Sequence, residues 1–153
     1  MVDWPIMQNR SVPANVLLPH LVYEDVPAAI AWLEEVFGFR EHYRYGDPER
    51  PQGAQMRLGE AWVMITSARE GRGSPARLGG WTQSLTVFLE DVEAHYGRTK
   101  AKGATIVEEL HETMYGELQY GVMDSEGHHW LFSRHARDVA PEEWGARVAG
   151  DRS

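Results

Sequence analysis

The chain has 153 residues, 23 acidic against 15 basic side chains, a formal charge of −8, no cysteine, six tryptophans and six tyrosines. Such a length buries a core without staples, the lack of cysteine excludes disulfides, thiolate metal sites and a cysteine nucleophile, and an acidic chain with scattered arginines repels phosphate backbones. No apolar run reaches membrane-span length and the opening MVDWPIMQNRSVP carries no targeting pattern, so a cytoplasmic protein with neither nucleic-acid nor membrane partners is expected.

Residues 1–14 read as an irregular N-terminal arm, and Asn15 to Tyr23, NVLLPHLVY, as a strand. The period then changes. Asp25 is placed to cap a helix, Pro27 is tolerated in its first turn, and Ile30, Leu33 and Phe37 form an apolar stripe that stops at Gly38. FREHYRY, AQMRL and EAWVMIT follow as three strands of a meander, the first two joined by the turn GDPERPQG. The loop SAREGRGSPARLGG reads as a linker; with its glycines and three arginines, a lid over an anionic ligand is the alternative.

The pattern then recurs. QSLTVFL is a strand, Asp91 caps a helix with Val92 and Tyr96 on one face, Gly103 ends it, and ATIVEEL, ELQYGVM and HHWLFS complete a second meander. LVYEDVPAAIAWLEEVFG and TVFLEDVEAHYGRTKAKG share strand, Glu-Asp-Val cap, helix and terminal glycine, while GEAWVMI matches GHHWLFS, which together describe an internal βαβββ duplication. The expected organisation is an arm at 1–14, a first module at 15–68, a linker at 69–80, a second module at 81–135 and a tail at 136–153. Within the tail, APEEWGARV is read as a short helix with Arg147 near its end.

With those features the chain resembles the vicinal oxygen chelate superfamily, which includes glyoxalase I, bleomycin-resistance proteins, fosfomycin-resistance transferases and extradiol dioxygenases. The resemblance covers roughly residues 15–135, and the ending MYGELQYGVMDSEGHHWLFSRHARDVAPEEW is most similar to the PhnB-like branch. It implies an α+β fold of two βαβββ modules whose sheets curl around a cavity, commonly completed in a homodimer. In metal-using relatives the ligands lie on the first and last strands of the modules. The matching positions here are Leu18, Met64, Ser84 and Leu131, which cannot hold a hard divalent ion, so no metal or other cofactor is expected.

Side chains alternate along a strand, so residues of the same parity should also face the cavity. That set is Leu18, His20 and Val22; Trp62, Met64 and Thr66; Ser84, Thr86 and Phe88; His129, Leu131 and Ser133. The opposite parity, Leu17, Leu21, Val63, Ile65, Leu85, Val87, Leu89, Trp130 and Phe132, is nearly all apolar and should pack under the helices. His20 and His129 are read either as a pair that hydrogen-bonds a ligand or moves a proton, or as satisfied buried histidines. A relocated metal site on both finds no inward carboxylate to join them. His128 falls on the other face and reads as an exposed turn residue, while His42, Arg44 and Arg57 read as solvated edge charges.

Trp62 is a candidate to stack on a planar ligand and Met64 an adaptable apolar wall. Tyr115 and Gln119 join the candidate ligand contacts because relatives touch substrate in that region. The favoured expectation is a metal-free, dimeric protein that sequesters a small, largely planar organic molecule through His20, Val22, Trp62, Met64, Thr66, Ser84, Thr86, Phe88, Tyr115, Gln119 and His129. The alternatives are a glyoxalase-like lyase or isomerase, with a displaced metal or with His20 as general base, and a ligand-sensing partner without chemistry.

Overall fold

The computed structural model describes residues 7–14 and 17–150. Its elements alternate as the duplication requires: β1 (His20–Tyr23), α1 (Val26–Trp32, continuing as a π-helical turn over Leu33–Phe37), β2 (Arg40–Asp47), β3 (Arg50–Leu58) and β4 (Ala61–Ser67), then a short α2 (Pro75–Leu78). The second set is β5 (Ser84–Phe88), α3 (Val92–Ala101), β6 (Thr105–Glu112), β7 (Glu117–Met123) and β8 (His129–His135). Two four-stranded mixed sheets result, in the orders β1-β4-β3-β2 and β5-β8-β7-β6, each with one parallel pair, β1 with β4 and β5 with β8. The α+β class and the two βαβββ modules follow directly.

Both long helices start as their sequences dictate. Asp25 Oδ1 accepts from the Ala28 N–H at 3.1 Å and Asp91 Oδ1 from the Ala94 N–H at 3.0 Å, which satisfies donors that the first helical turn leaves free. Gly38 closes the first helix at φ 84°, a left-handed conformation that glycine takes without steric cost.

One core serves both modules. Leu21, Ile30, Leu33, Val63 and Ile65 of the first are buried together with Val87, Val92, Val122, Trp130 and Phe132 of the second. Phe37 joins them, its ring 5.5 Å from Trp130 and 4.9 Å from Phe132 in edge-to-face contacts, while Phe39 meets Trp130 at 5.5 Å. The helix-bearing faces therefore pack against a common interior, and the opposite, concave faces of the two sheets are left for other use.

Four expectations need correction. The first strand is shorter than NVLLPHLVY: Asn15 and Val16 lie outside the described residues, and Leu17, Leu18 and Pro19 precede the ladder. Pro19 has no N–H to donate, although its carbonyl accepts from Met64, and Leu17 is 76% exposed instead of in the core. The turn GDPERPQG is narrower than its glycine and proline content suggests, because β2 and β3 pair down to Asp47 and Arg50. A register shift at Tyr45/Gly46 and the φ of 97° at Gly46 absorb the irregularity inside the hairpin.

His128 is not a solvated turn residue. Its Nε2–H donates to the Val22 carbonyl at 2.7 Å and its ring lies 4.6 Å from that of Tyr23, so it ties the second module to the first. The tail helix is a single 3₁₀ turn, Pro141–Trp144, ended by Gly145 at φ 96°, and Arg147 lies beyond it.

Candidate functional site

Strand alternation sets one face of the first sheet on residues of a single parity along β1 and β4. Trp62, Met64 and Thr66 alternate with buried Val63 and Ile65, and β1 sets His20 opposite Met64 and Val22 opposite Thr66. Across the hairpin, Gly53, Gln55 and Arg57 stand opposite Thr66, Met64 and Trp62. A register shift between Glu41 and Tyr43 then turns both His42 and Tyr43 to this face. His42 Nδ1 lies 2.7 Å from Gln55 Oε1 and its ring meets Trp62 edge-on at 5.5 Å, while the Arg57 guanidinium sits 5.5 Å from the Trp62 ring centre.

Gln55 organises this cluster. It is fully buried, its Oε1 accepts from His42, and its Nε2 donates to the Ser11 carbonyl at 3.1 Å, which holds the N-terminal arm against the sheet. The same amide lies 3.4 Å from Met64 Sδ. His42 and Arg57 are exposed, as read, yet each also contacts Trp62, and neither Gln55 nor Tyr43 was marked by sequence. Gln55 could have been found by counting across the hairpin from Met64; His42 and Tyr43 could not, because the bulge breaks the alternation on which counting rests.

The second sheet carries a matching concave face. Ser133 Oγ donates to Gln119 Oε1 at 3.1 Å, and Gln119 Nε2 reaches Tyr115 Oη at 3.3 Å and Glu108 Oε1 at 3.4 Å. His111 Nε2 lies 3.2 Å from the same Glu108 oxygen. Gln119 is 5% exposed and Ser133 fully buried, so the donor side of this network is rigid. Glu108 thus brings a carboxylate to this face beside His111 and Gln119, and two register shifts in β6 are the reason it escaped counting.

The remaining candidates sit at the edges of these faces. Ser84 and Thr86 are exposed on the edge strand β5, and Phe88 is 58% exposed with its ring 5.2 Å from His135. His20 and Val22 line a small cleft of about 150 Å³ with Trp81 and Thr82, just past the linker. Trp81, which opens the second module and carries no role in the sequence reading, stacks on His129 at 3.8 Å with ring planes 18° apart. It thus stacks on one of the two histidines read as a pair and shares the small cleft with the other. His129 also lines a larger cleft of about 550 Å³ with Trp32, Thr105 and Met123. The linker is anchored, since Ser74 N–H and Arg77 both bind the Glu24 carboxylate and Arg72 donates to the Ser67 carbonyl.

The positions that metal-using relatives devote to ligands hold two alkyl side chains, a thioether and a hydroxyl. The thioether of Met64 is engaged by Gln55, and Leu131 offers no donor atom, so the residues present do not fit a divalent ion. Among the described residues, no three histidine, aspartate or glutamate side chains converge to replace them.

Two curled βαβββ sheets around a shared core are the architecture of one large group of proteins, and the profile of the Glyoxalase/Bleomycin resistance protein/Dioxygenase superfamily matches residues 15–132. The chain belongs to that superfamily. Among relatives, the uncharacterised protein Rv0887c of Mycobacterium tuberculosis is 31% identical over 146 residues, covering 89% of this chain and 85% of the relative. Among solved structures, TioX from Micromonospora sp. ML1 superposes with a TM-score of 0.69 at 34% identity, over 80% of this chain and 99% of TioX. The fosfomycin resistance protein FosX of Listeria monocytogenes shares the fold at a TM-score of 0.60 and 19% identity, over 86% of this chain and 98% of FosX. Among the described residues of this superfamily member, no helix is long and apolar enough to cross a membrane.

Proposed function

We propose that this superfamily member is a metal-free binding protein of the bleomycin-resistance type, in the PhnB-like branch, which sequesters a planar organic molecule against its concave sheet faces in the cytoplasm. The observation that carries the reading is the pairing of aromatic and polar side chains on those faces with fully or nearly buried amides beneath them. Gln55 holds His42 beside Trp62 and Met64, and Gln119 holds Tyr115 beside Glu108. Rigid polar groups among apolar walls orient a small molecule without chemistry. The replacement of the family's ligand positions by Leu18, Met64, Ser84 and Leu131 supports the metal-free reading.

A homodimer belongs to the same proposal. The two concave clusters are on separate sheets, and among the described residues no hydrogen bond or ring contact joins them. Phe88 and Thr86 face solvent in the single chain. A second copy that sets its first sheet over this second sheet encloses a ligand between two walls and covers that apolar surface.

The alternative is a glyoxalase-like lyase or isomerase, with a displaced metal or with His20, which lines the small cleft, as general base. His111 does not suit that role, because its Nδ1–H donates to the Glu109 carbonyl at 2.9 Å and its Nε2 faces Glu108 at 3.2 Å, which leaves no free lone pair on the ring. Titration of metal-free protein with planar aromatic compounds, alongside metal analysis of untagged protein, separates the two readings.

A further inference from the structure

Strand β6 carries three glutamates of similar sequence context and very different surroundings. Glu109 faces Lys100 at 3.4 Å and Glu112 faces Arg137 at 2.7 Å, but among the described residues Glu108 has neither a lysine nor an arginine partner. Its position is built by the fold. Ile106 packs against the core, and simple alternation would send Glu108 the same way; the register shift after Ile106 turns it to the concave face instead, and a second shift before His111 keeps that histidine beside it.

The carboxylate then needs room across the neighbouring strand, and Gly121 supplies it. A Cβ at residue 121 would meet Glu108 Cβ at 3.0 Å, Glu108 Oε2 at 3.3 Å and Leu131 Cδ2 at 3.2 Å, so the glutamate lies over bare backbone and its Oε2 and the Leu131 side chain border the same space. Oxygen Oε1 is fixed from below by Gln119 and from the side by His111, while Oε2 has no hydrogen-bond partner among the described residues. A carboxylate thus borders the same space as Leu131, pre-oriented on one oxygen and free on the other.

We propose that Glu108 is the ligand-selecting group of the concave site, and that the molecule it takes carries a cationic nitrogen attached to its planar ring system. This rests on the binding reading above and specifies its ligand class. A protonated amine or amidine donates to Oε2 in a charge-assisted bond while its ring lies against Leu131 and Tyr115. Gly121 and Gln119 are positioning residues: one leaves the space, the other holds the oxygen.

Matched tricyclic dyes test this, with 9-aminoacridine as the cationic probe and acridone as its neutral counterpart, titrated at pH 7 by fluorescence against the full chain. The expected result is that the wild type prefers the cation by about tenfold, and that Glu108→Gln removes the preference without changing acridone affinity. Gly121→Ala, which displaces the carboxylate at unchanged charge, should reduce the preference as well. Glu112→Gln, which removes a carboxylate already paired with Arg137, should leave it intact, and thermal unfolding confirms that each variant is folded. Acridone binding as tightly as the cation, or a preference that survives in Glu108→Gln, overturns the proposal while the sequestering reading stands. If neither dye binds, this proposal falls, while the sequestering reading is decided by titration with the wider set of planar compounds.

Discussion

Tyr23 and Asp124, 101 residues apart, share a 2.6 Å hydrogen bond at the seam between the two modules. Asp124 is saturated there. Its Oδ2 also accepts from Trp130 Nε1 at 3.0 Å, and its Oδ1 accepts from the N–H groups of Glu126 and His128, both at 3.0 Å. A buried carboxylate with four donors fixes the β7–β8 turn against β1, and Glu126 extends the tie by accepting from the Glu24 and Asp25 N–H groups. Tyr23→Phe should therefore cost about 1–3 kcal/mol of stability, the penalty for removing one partner of a buried charged group. Urea unfolding measures it, and an unchanged midpoint would show that the seam does not depend on this bond.

The same pair sets an alkaline limit. Burial, then the charge of Asp124 and the bond to it, hold the Tyr23 hydroxyl well above the ordinary tyrosine range. A pKa raised on folding gives stability that is complete below the unfolded value, near 10, and is lost as pH rises through the folded one. Wild-type unfolding midpoints should fall more steeply between pH 9 and 11 than those of Tyr23→Phe. Parallel curves would contradict the assignment.

His95 sets an acid limit. The Phe37 carbonyl, 2.8 Å from Nε2, can only accept, so Nε2 carries the proton and Nδ1 receives the Tyr120 hydroxyl at 2.6 Å. Burial chiefly, with the nearby Arg98 charge adding to it, lowers the His95 pKa. A depressed histidine gives stability that is complete above the unfolded value, near 6.5, and is lost as pH falls from there through the folded value. His95→Gln should be less stable than wild type at pH 8 yet lose less between pH 7 and 5, as followed by urea unfolding. A wild-type slope retained in the variant would place the titrating group elsewhere.

Much of this molecule is written in its sequence, and the unread part has a common cause. Asp25, Gly38, Asp91 and Gly103 mark the helices because caps act locally, and Val63, Ile65, Trp130 and Phe132 mark the core because alternation along β4 and β8 is unbroken. His42, Tyr43, Glu108 and His111 were missed as cavity-facing groups because each lies at a register shift, where one extra residue reverses the face. Trp81 was missed because its contact with His129 is tertiary, and no local pattern in the LGGW stretch reports it. Leu17 was misplaced because the reading carried the strand through Pro19.

Gly53 offers a test of the first concave face. A side chain there would fall inside the Tyr45 phenol and 2.5 Å from the Ile65 carbonyl oxygen, which belongs to the backbone and cannot move aside. Gly53→Val should lower stability by about 1–3 kcal/mol through overpacking. Thermal unfolding checks it; a neutral result would mean that the strand yields at this point.

The proposed dimer is tested at Phe88, the exposed aromatic on the edge strand β5. Sedimentation equilibrium should give twice the chain mass for the wild type, and Phe88→Glu should shift the equilibrium toward monomer. A monomeric wild type at all concentrations contradicts the enclosed two-walled site.

The most direct test of the central claim is isothermal titration of chelator-treated, untagged protein with planar aromatic compounds. The account predicts stoichiometric binding that a chelator leaves unchanged, and about a tenfold loss of affinity in Trp62→Ala as stacking and apolar contact are removed. No binding by any such compound, together with a stoichiometric divalent ion in the purified protein and turnover abolished by chelation, would contradict it.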